Sequence, residues 1–286
     1  MDILDTIGEV PENVSKALID DAPYSLPLLR RLQFMNFPGG KTPNSHILSM
    51  FYSKDAFTIA YLDFSRGPET ECWLYSSYES PHHRPPSIQS TCESQVISIL
   101  SHISSLEKSF VTSNGPRSTP RILLIGTLHE KILQFLQKQQ RIQEETEPHF
   151  KFIFKTDELP PEKPLVDESL NYGRIRKSDI PLVLSRTAIP RKERTMTLLP
   201  SVAITFHNEP IAWGFLGPDG SLTSLHCEEE YRGKGLAKAV ALKLFREYTP
   251  HFGLERLQHA DVAVDNLRSQ GVCKSLKGVS SWKVYW

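Results

Sequence analysis

Cysteine is scarce in this chain of 286 residues: Cys72, Cys92, Cys227 and Cys273 stand far apart, with no metal-ligand spacing. That scarcity excludes a disulfide scaffold and a cysteine-built zinc site, and it fits a reducing compartment. Net charge is missing too, because 33 basic residues balance 33 acidic ones. A neutral chain exerts no general electrostatic pull on nucleic acid or on an anionic membrane. No apolar run approaches the roughly 20 residues of a membrane helix. The acidic start, Met1 to Glu9, lacks a basic segment and a long apolar one, so no secretory signal is expected. Hydrophobic content of 39% with 23% charged residues is ordinary for a globular protein. The expectation is a cytoplasmic protein, monomer or homodimer, with no metal and neither nucleic acid nor membrane as partner.

Periodicity gives the first half its elements. Helices are expected over 13–20, 24–34, 95–110 and 129–141, and strands over 45–52, 57–64, 71–78 and 150–154. A short buried strand is expected over 121–125. His82-His83 suggests a metal site at first sight, but no carboxylate or cysteine stands at useful spacing. A solvated loop is the better reading. Three prolines among charges over 158–164 can continue neither a helix nor an inner strand, so a domain boundary is expected within 156–172. The domains are then 1–165 and 166–286.

The second half opens with a possible strand over 172–176 and a helix over 179–185, with Ser178 as a possible N-cap. Strands over 201–206 and 209–215 follow, joined at Asn208-Glu209, and Pro218-Asp219-Gly220 turns the chain into a strand over 221–227. Beyond lie a helix from about 236, a strand over 257–264, a short helix over 266–276 and a last strand over 282–286.

The stretch Arg232-Gly-Lys-Gly-Leu-Ala237 joins the strand to the helix. Gly233 and Gly235 permit a tight turn and close approach of a ligand to the backbone. The opening helix presents N–H groups without intrahelical partners, a ready anion site, and Arg232 and Lys234 add charge there. A Walker loop is excluded, since Glu228 stands where its first glycine belongs and Gly235 follows the lysine. A dinucleotide fingerprint is excluded by Lys238 in the place of its third glycine.

The pattern Arg-x-x-Gly-x-Ala, from Arg232 through Gly235 to Ala237, resembles the pyrophosphate loop of the GNAT superfamily of CoA-dependent N-acyltransferases. Leu199-Pro200-Ser201, Pro210 to Trp213, Asp219-Gly220 and Glu230-Tyr231-Arg232 sharpen the likeness, which is to glycine N-acyltransferases and the related FR47-like proteins. The resemblance implies an α+β fold of two GNAT-like domains in tandem, each a mostly antiparallel twisted sheet flanked by helices. The first domain would be degenerate, as nothing before residue 170 has the glycine loop. The co-substrate it implies is acetyl-CoA or another acyl-CoA, and the acceptor a small-molecule amine or amino acid. The pantetheine arm would pair with the backbone of Leu225 to Cys227, and the pyrophosphate would sit on the amides of Gly233, Lys234, Gly235, Leu236 and Ala237. Asn266 would contact the arm, cap a helix, or do both.

The catalytic residues depart from the family pattern. Glycine N-acyltransferases carry a glutamate eleven positions before the loop arginine, and other members carry histidines there or two positions later; here Ser221 and Thr223 occupy these positions. Neither is a base, although both can order a water. His226 has a suitable pKa class, but strict strand alternation turns it to the face opposite Ser221 and Thr223, where a structural histidine is the preferred reading. Glu228, Glu229 and Glu230 read as a solvated turn. The Cys227 amide is the expected oxyanion donor. Cys273 takes the position of the usual tyrosine acid, as a weak thiol donor or a small buried residue. Lys277 stands where a helix-ending glycine is usual, with Gly278 after it. Two readings follow: an N-acyltransferase, or a CoA-binding or scaffolding module whose chemistry has decayed.

Overall fold

The computed structural model describes residues 2–81, 86–144, 147–165, 167–187, 189–253 and 255–286. His82 and His83 lie outside the described residues. The chain divides into two compact units, Met1–Pro148 with Trp282–Trp286, and His149–Ser281.

The first unit contains β1 (Leu4–Ile7), α1 (Glu12–Asp20), α2 (Leu26–Phe34), β2 (His46–Ser53), β3 (Ala56–Leu62), β4 (Cys72–Ser76), α3 (Pro86–Asn114), β5 (Leu128–His129) and α4 (Glu130–Lys138). β1 to β4 form an antiparallel meander in chain order. Every residue of β3 is buried, because it is an inner strand and is covered on both faces. Val96, Ile99 and Ile103 recur at helical spacing on α3 and join Leu48, Ala60, Leu62 and Leu74 in one apolar cluster. On the other face of β3 the Arg31 guanidinium of α2 is buried, 3.8 Å from the centre of the Tyr61 ring. α3 outruns its apolar stripe at both ends. The strand expected over 121–125 is irregular: Arg121 has φ +64 and only Ile125 makes a bridge, to Cys72.

The second unit contains β6 (His149–Lys155), β7 (Leu170–Gly173), α5 (Ile180–Ser185), α6 (Glu193–Met196), β8 (Ser201–Phe206), β9 (Glu209–Leu216), β10 (Leu222–Cys227), α7 (Leu236–Phe252), β11 (Leu257–Ala263), α8 (Leu267–Ser275) and the start of β12 (Val279–Tyr285). β12 ends in the first unit, where Val284 pairs with His129. β7 to β10 form an antiparallel sheet in the order β10-β9-β8-β7. β6 pairs antiparallel with β11 from His149↔Ala263 to Lys155↔Leu257.

That pairing corrects the expected boundary. The strand expected over 150–154 does not close the first half; it belongs with β11, so the first unit ends at Pro148 and not at 165. The proline-rich segment marks a break in regular structure but lies inside the second unit. Arg246 of α7 fastens it, donating from Nη2 to the Pro160 carbonyl at 2.7 Å and lying 3.0 Å from Glu162. Ser178 is not the cap of α5 either. The turn before it is closed by Asp179, which accepts from the Arg176 N–H and the Arg176 Nε, each at 2.9 Å. The first strand, expected over 172–176, lies earlier, at Leu170–Gly173.

α7 packs on β9 and β8, with Val240 and Leu244 against Gly214. Gly214 makes the approach possible, since a Cβ there would meet Leu225 Cδ1 and Leu244 Cδ1 at 3.1 Å. Phe245 is fully buried, with its ring 4.9 Å from that of Phe154. Truncating Phe245 to alanine is expected to cost about 3–5 kcal/mol, read as a lower denaturation midpoint. An unchanged midpoint would contradict this packing.

Candidate active site

The loop after β10 has the geometry of an anion seat. Gly233 and Gly235 hold φ of +78 and +79, a region that side-chain-bearing residues enter at a cost of about 1–2 kcal/mol. Gly235 is the N-cap of α7 and no side chain caps the helix. The first-turn N–H groups of Leu236 and Ala237 are therefore not consumed by a cap, and the dipole end is positive. Gly233, Lys234 and Gly235 are exposed, and Leu236 is buried. Arg232 turns back instead of outward: its Nε donates to the Cys227 carbonyl at 3.1 Å, tying the loop to the end of β10. Lys234 lies over the Tyr231 ring, 5.2 Å from its centre. A cavity of about 630 Å³ opens beside Lys234 and Lys238, walled by Pro160, Pro164 and Tyr172.

β10 is the edge strand of its sheet, and β11, which lies against it, is the edge of the β6–β11 pair. Glu228 N–H donates to the Ile211 carbonyl of β9 at 2.8 Å. Backbone groups alternate sides along a strand, so the Cys227 N–H points off the outer edge.

The ladder between β10 and β9 slips once. Thr223 faces Phe215 and His226 faces Trp213, which leaves three steps on β10 against two on β9. Ser224, at φ +49, absorbs the extra residue as a β-bulge. Phe215 and Trp213 are two apart and share a face, so Thr223 and His226 share one too. This corrects the alternation argument, which turned His226 the other way. The His226 ring stacks on Trp213 with centroids 4.6 Å apart, and its Nε2 lies 3.6 Å from Glu228 Oε2. Burial outweighs the Glu228 charge and holds the His226 pKa below its usual value, so the imidazole is neutral at pH 7. Leu225 goes to the opposite face, against Gly214.

The remaining candidates have partners. Arg191 Nη2 donates to the Thr223 hydroxyl at 3.3 Å, and Arg186 Nε to Glu228 at 3.0 Å, so Glu228 is not simply solvated. Ser221 donates to Asp219 Oδ1 at 2.6 Å and is buried. Asn266 Oδ1 accepts from the Ser269 N–H at 3.0 Å, which makes it the N-cap of α8. Cys273 is buried on α8, and burial pushes its thiol up to about 12. Burial also raises the half-exposed Cys227 thiol. Lys277 takes the left-handed position after α8 at φ +65. Gly278 is needed for packing instead, because a Cβ there would lie 2.4 Å from Phe154 Cε1. Among the described residues no group of His, Cys, Asp and Glu could hold a metal. No helix among them is long and apolar enough to cross a membrane.

Sequence reasoning missed a buried polar group behind the turn into β10. Lys151 and Asp261 face each other across β6 and β11, with Nζ 2.5 Å from Oδ1. Lys151 also donates to His259 Nδ1 at 3.2 Å, and His259 Nε2 donates to the Asp219 carbonyl at 2.8 Å. These contacts assign the neutral Nε2–H tautomer. Only the alternation of β11 hinted at this group, and Asp219 reads in sequence as turn chemistry alone.

The family model for the N-terminal domain of the acyl-CoA N-acyltransferase verG matches residues 5–154, and the acetyltransferase (GNAT) family model matches residues 191–277. The chain belongs to this family of acyl-CoA N-acyltransferases. It is an enzyme of the acyl-transfer class, and acyl-CoA is its co-substrate. A comparison with curated protein sequences finds no match. Among solved structures, the chain is similar to a Drosophila protein at 14% identity and a TM-score of 0.63, covering 97% of this chain and 96% of that one. It is also similar to a tandem GNAT protein from the clavulanic acid biosynthesis pathway at 13% identity and a TM-score of 0.52, covering 100% and 97%. At such identity these likenesses speak for the fold, two GNAT domains in tandem.

Acid should expose the buried histidine. Burial, with Lys151 beside it, lowers His259 from the ordinary 6.5 to about 4, so the unfolded state binds a proton more readily than the folded one. The contribution of neutral His259 is full above 6.5 and is lost as pH falls from 6.5 toward 4. Urea midpoints are expected to fall across that window, and to fall less in a His259→Gln variant. Parallel curves for the two proteins would refute the assignment.

Proposed function

We propose that the acyltransferase moves an acyl group, acetyl or somewhat larger, from CoA to the amine of a small molecule or an amino acid. One observation carries the reading: the uncapped α7 terminus with Gly233 and Gly235 in the left-handed region directly follows an edge strand whose outer backbone groups are unpaired by the sheet. A diphosphate suits the first feature, and an extended amide chain such as pantetheine suits the second.

In this reading the pyrophosphate sits on the amides of Gly233 to Ala237. The pantetheine arm pairs with Leu225 to Cys227, and the nucleotide end takes the cavity beside Lys234 and Lys238. Arg232 acts mainly as a clamp on the loop, given its bond to the Cys227 carbonyl. The outward Cys227 N–H is aimed where a thioester oxygen would gather charge as an amine attacks. The acceptor approaches on the Thr223 and His226 face, beside Arg191 and Glu228. CoA thiolate is a good leaving group, so a strong acid is dispensable, and Cys273 serves as a packing residue. The protein is a monomer or homodimer in this account, with 1–148 as a support lacking a CoA loop of its own.

The test is incubation with acetyl-CoA and a panel of primary amines, following thiol release. Release above the amine-free rate with at least one amine is expected. No release with any amine, while CoA still raises the unfolding temperature, would leave only a binding module. Gly235→Asp puts a carboxylate at the phosphate seat and is expected to abolish protection by CoA while the unliganded protein stays folded. Undiminished protection would remove the loop from the CoA site.

A further inference from the structure

Acyl transfer to an amine must dispose of a proton, and the groups on the Thr223 face leave that step unassigned. Asp219 offers an answer. Its carboxylate is 1% exposed, and Oδ1 accepts from both the N–H and the hydroxyl of Ser221, at 3.1 and 2.6 Å. Oδ2 is equally buried and has no hydrogen-bond partner among the described residues. A buried carboxylate oxygen left bare is costly and calls for a reason.

The surroundings keep this carboxylate charged. Burial pushes its pKa up, but the positive charge of Lys151 beside His259 and the bonds from Ser221 hold it below the usual range. His259 also fixes the residue's backbone through the Asp219 carbonyl. Gly217 gives the carboxylate its room, since a Cβ there would lie 2.8 Å from Asp219 Oδ1 and 3.0 Å from Ser221 Oγ. The result is a serine hydroxyl whose proton is already directed at an ionised carboxylate, one residue before β10 and two before Thr223.

We propose that Ser221 and Asp219 form a two-step proton acceptor, with Ser221 the group that meets the amine and Asp219 a positioning residue that acts through it. The idea rests on the acyltransfer reading above. The amine nitrogen bonds to the thioester carbon, and the carbonyl π pair moves to oxygen. The nitrogen proton then passes to Ser221 Oγ as the Ser221 hydroxyl proton moves to Asp219 Oδ1. Collapse of the intermediate re-forms the carbonyl and breaks the C–S bond, and CoA departs as thiolate. Asp219 returns its proton to the Ser221 oxygen, which releases one to solvent. Lys151 and His259 take no proton; they hold Asp219 charged and in place.

The test uses the full chain, acetyl-CoA and whichever of benzylamine, tyramine and glycine supports the fastest thiol release. Asp219→Asn keeps the shape and removes the charge, and Ser221→Ala removes the hydroxyl. Each is expected to lower kcat roughly 100-fold with the KM for acetyl-CoA unchanged. Members of one relay do not add, so the double variant is expected to be no slower than the slower single one. A kcat within threefold of the parent in Asp219→Asn overturns the proposal, as do losses that multiply in the double variant. If Asp219→Asn fails to fold, Ser221→Ala decides by the same threefold limit. A large loss in His226→Gln with Asp219→Asn unaffected moves the role to His226. A parent that releases no thiol with any of the three overturns the acyltransfer reading itself, and this inference with it.

Discussion

The second unit depends on where β10 stops pairing. An edge strand carries a row of backbone donors and acceptors, and proteins ordinarily pair, cover or twist such edges away. β10 keeps its outer edge because the next strand, β11, is committed elsewhere: its ladder is with β6, along the whole of both strands. β10 and β11 thus lie against each other as members of different sheets. The glycine loop and the uncapped α7 then lie at the end of that open edge. In the proposed reading, an extended amide chain ending in a diphosphate would find its two needs met in the order in which it presents them.

The bulge at Ser224 is the second decision made on this strand. One extra residue brings Thr223 and His226 to one face while Leu225 stays with α7 over Gly214. Without it, β10 would offer either Thr223 or His226 to that face, never both. The ion group of Lys151, Asp261, His259 and Asp219 fixes the turn by which the chain enters β10. Burying such charges is expensive, and replacing similar groups with apolar side chains often stabilises a protein. Their position beside the strand that would carry the thioester fits the proposed role in chemistry.

Much of this site was legible because its physics is local. Glycine in the left-handed region, an opening helix and basic neighbours occupy six consecutive residues, and every one of those features follows from residue type at a position. The meander of β8, β9 and β10 was legible for the same reason, through Pro218-Asp219-Gly220, although the turn between β8 and β9 is His207-Asn208, one residue before the expected Asn208-Glu209. The bulge was not, since a slip in register leaves the side-chain pattern of one strand almost unaltered and is decided by the partner strand. Lys277 in the left-handed position was not either; glycine is needed one residue later, against Phe154.

By itself, then, the sequence determined the two-part organisation, the glycine loop at the head of α7 and the family of chemistry, because each rests on short-range patterns that survive any packing. Tertiary structure alone decided that 149–155 belongs with 257–263, that His226 shares a face with Thr223, and that Ser221 leans on a buried carboxylate. The first joins residues distant in sequence, the second depends on a one-residue shift between strands, and the third needs distant residues to bury a local bond. Neither composition nor periodicity carries information about such pairings; only the competition among complete folds does.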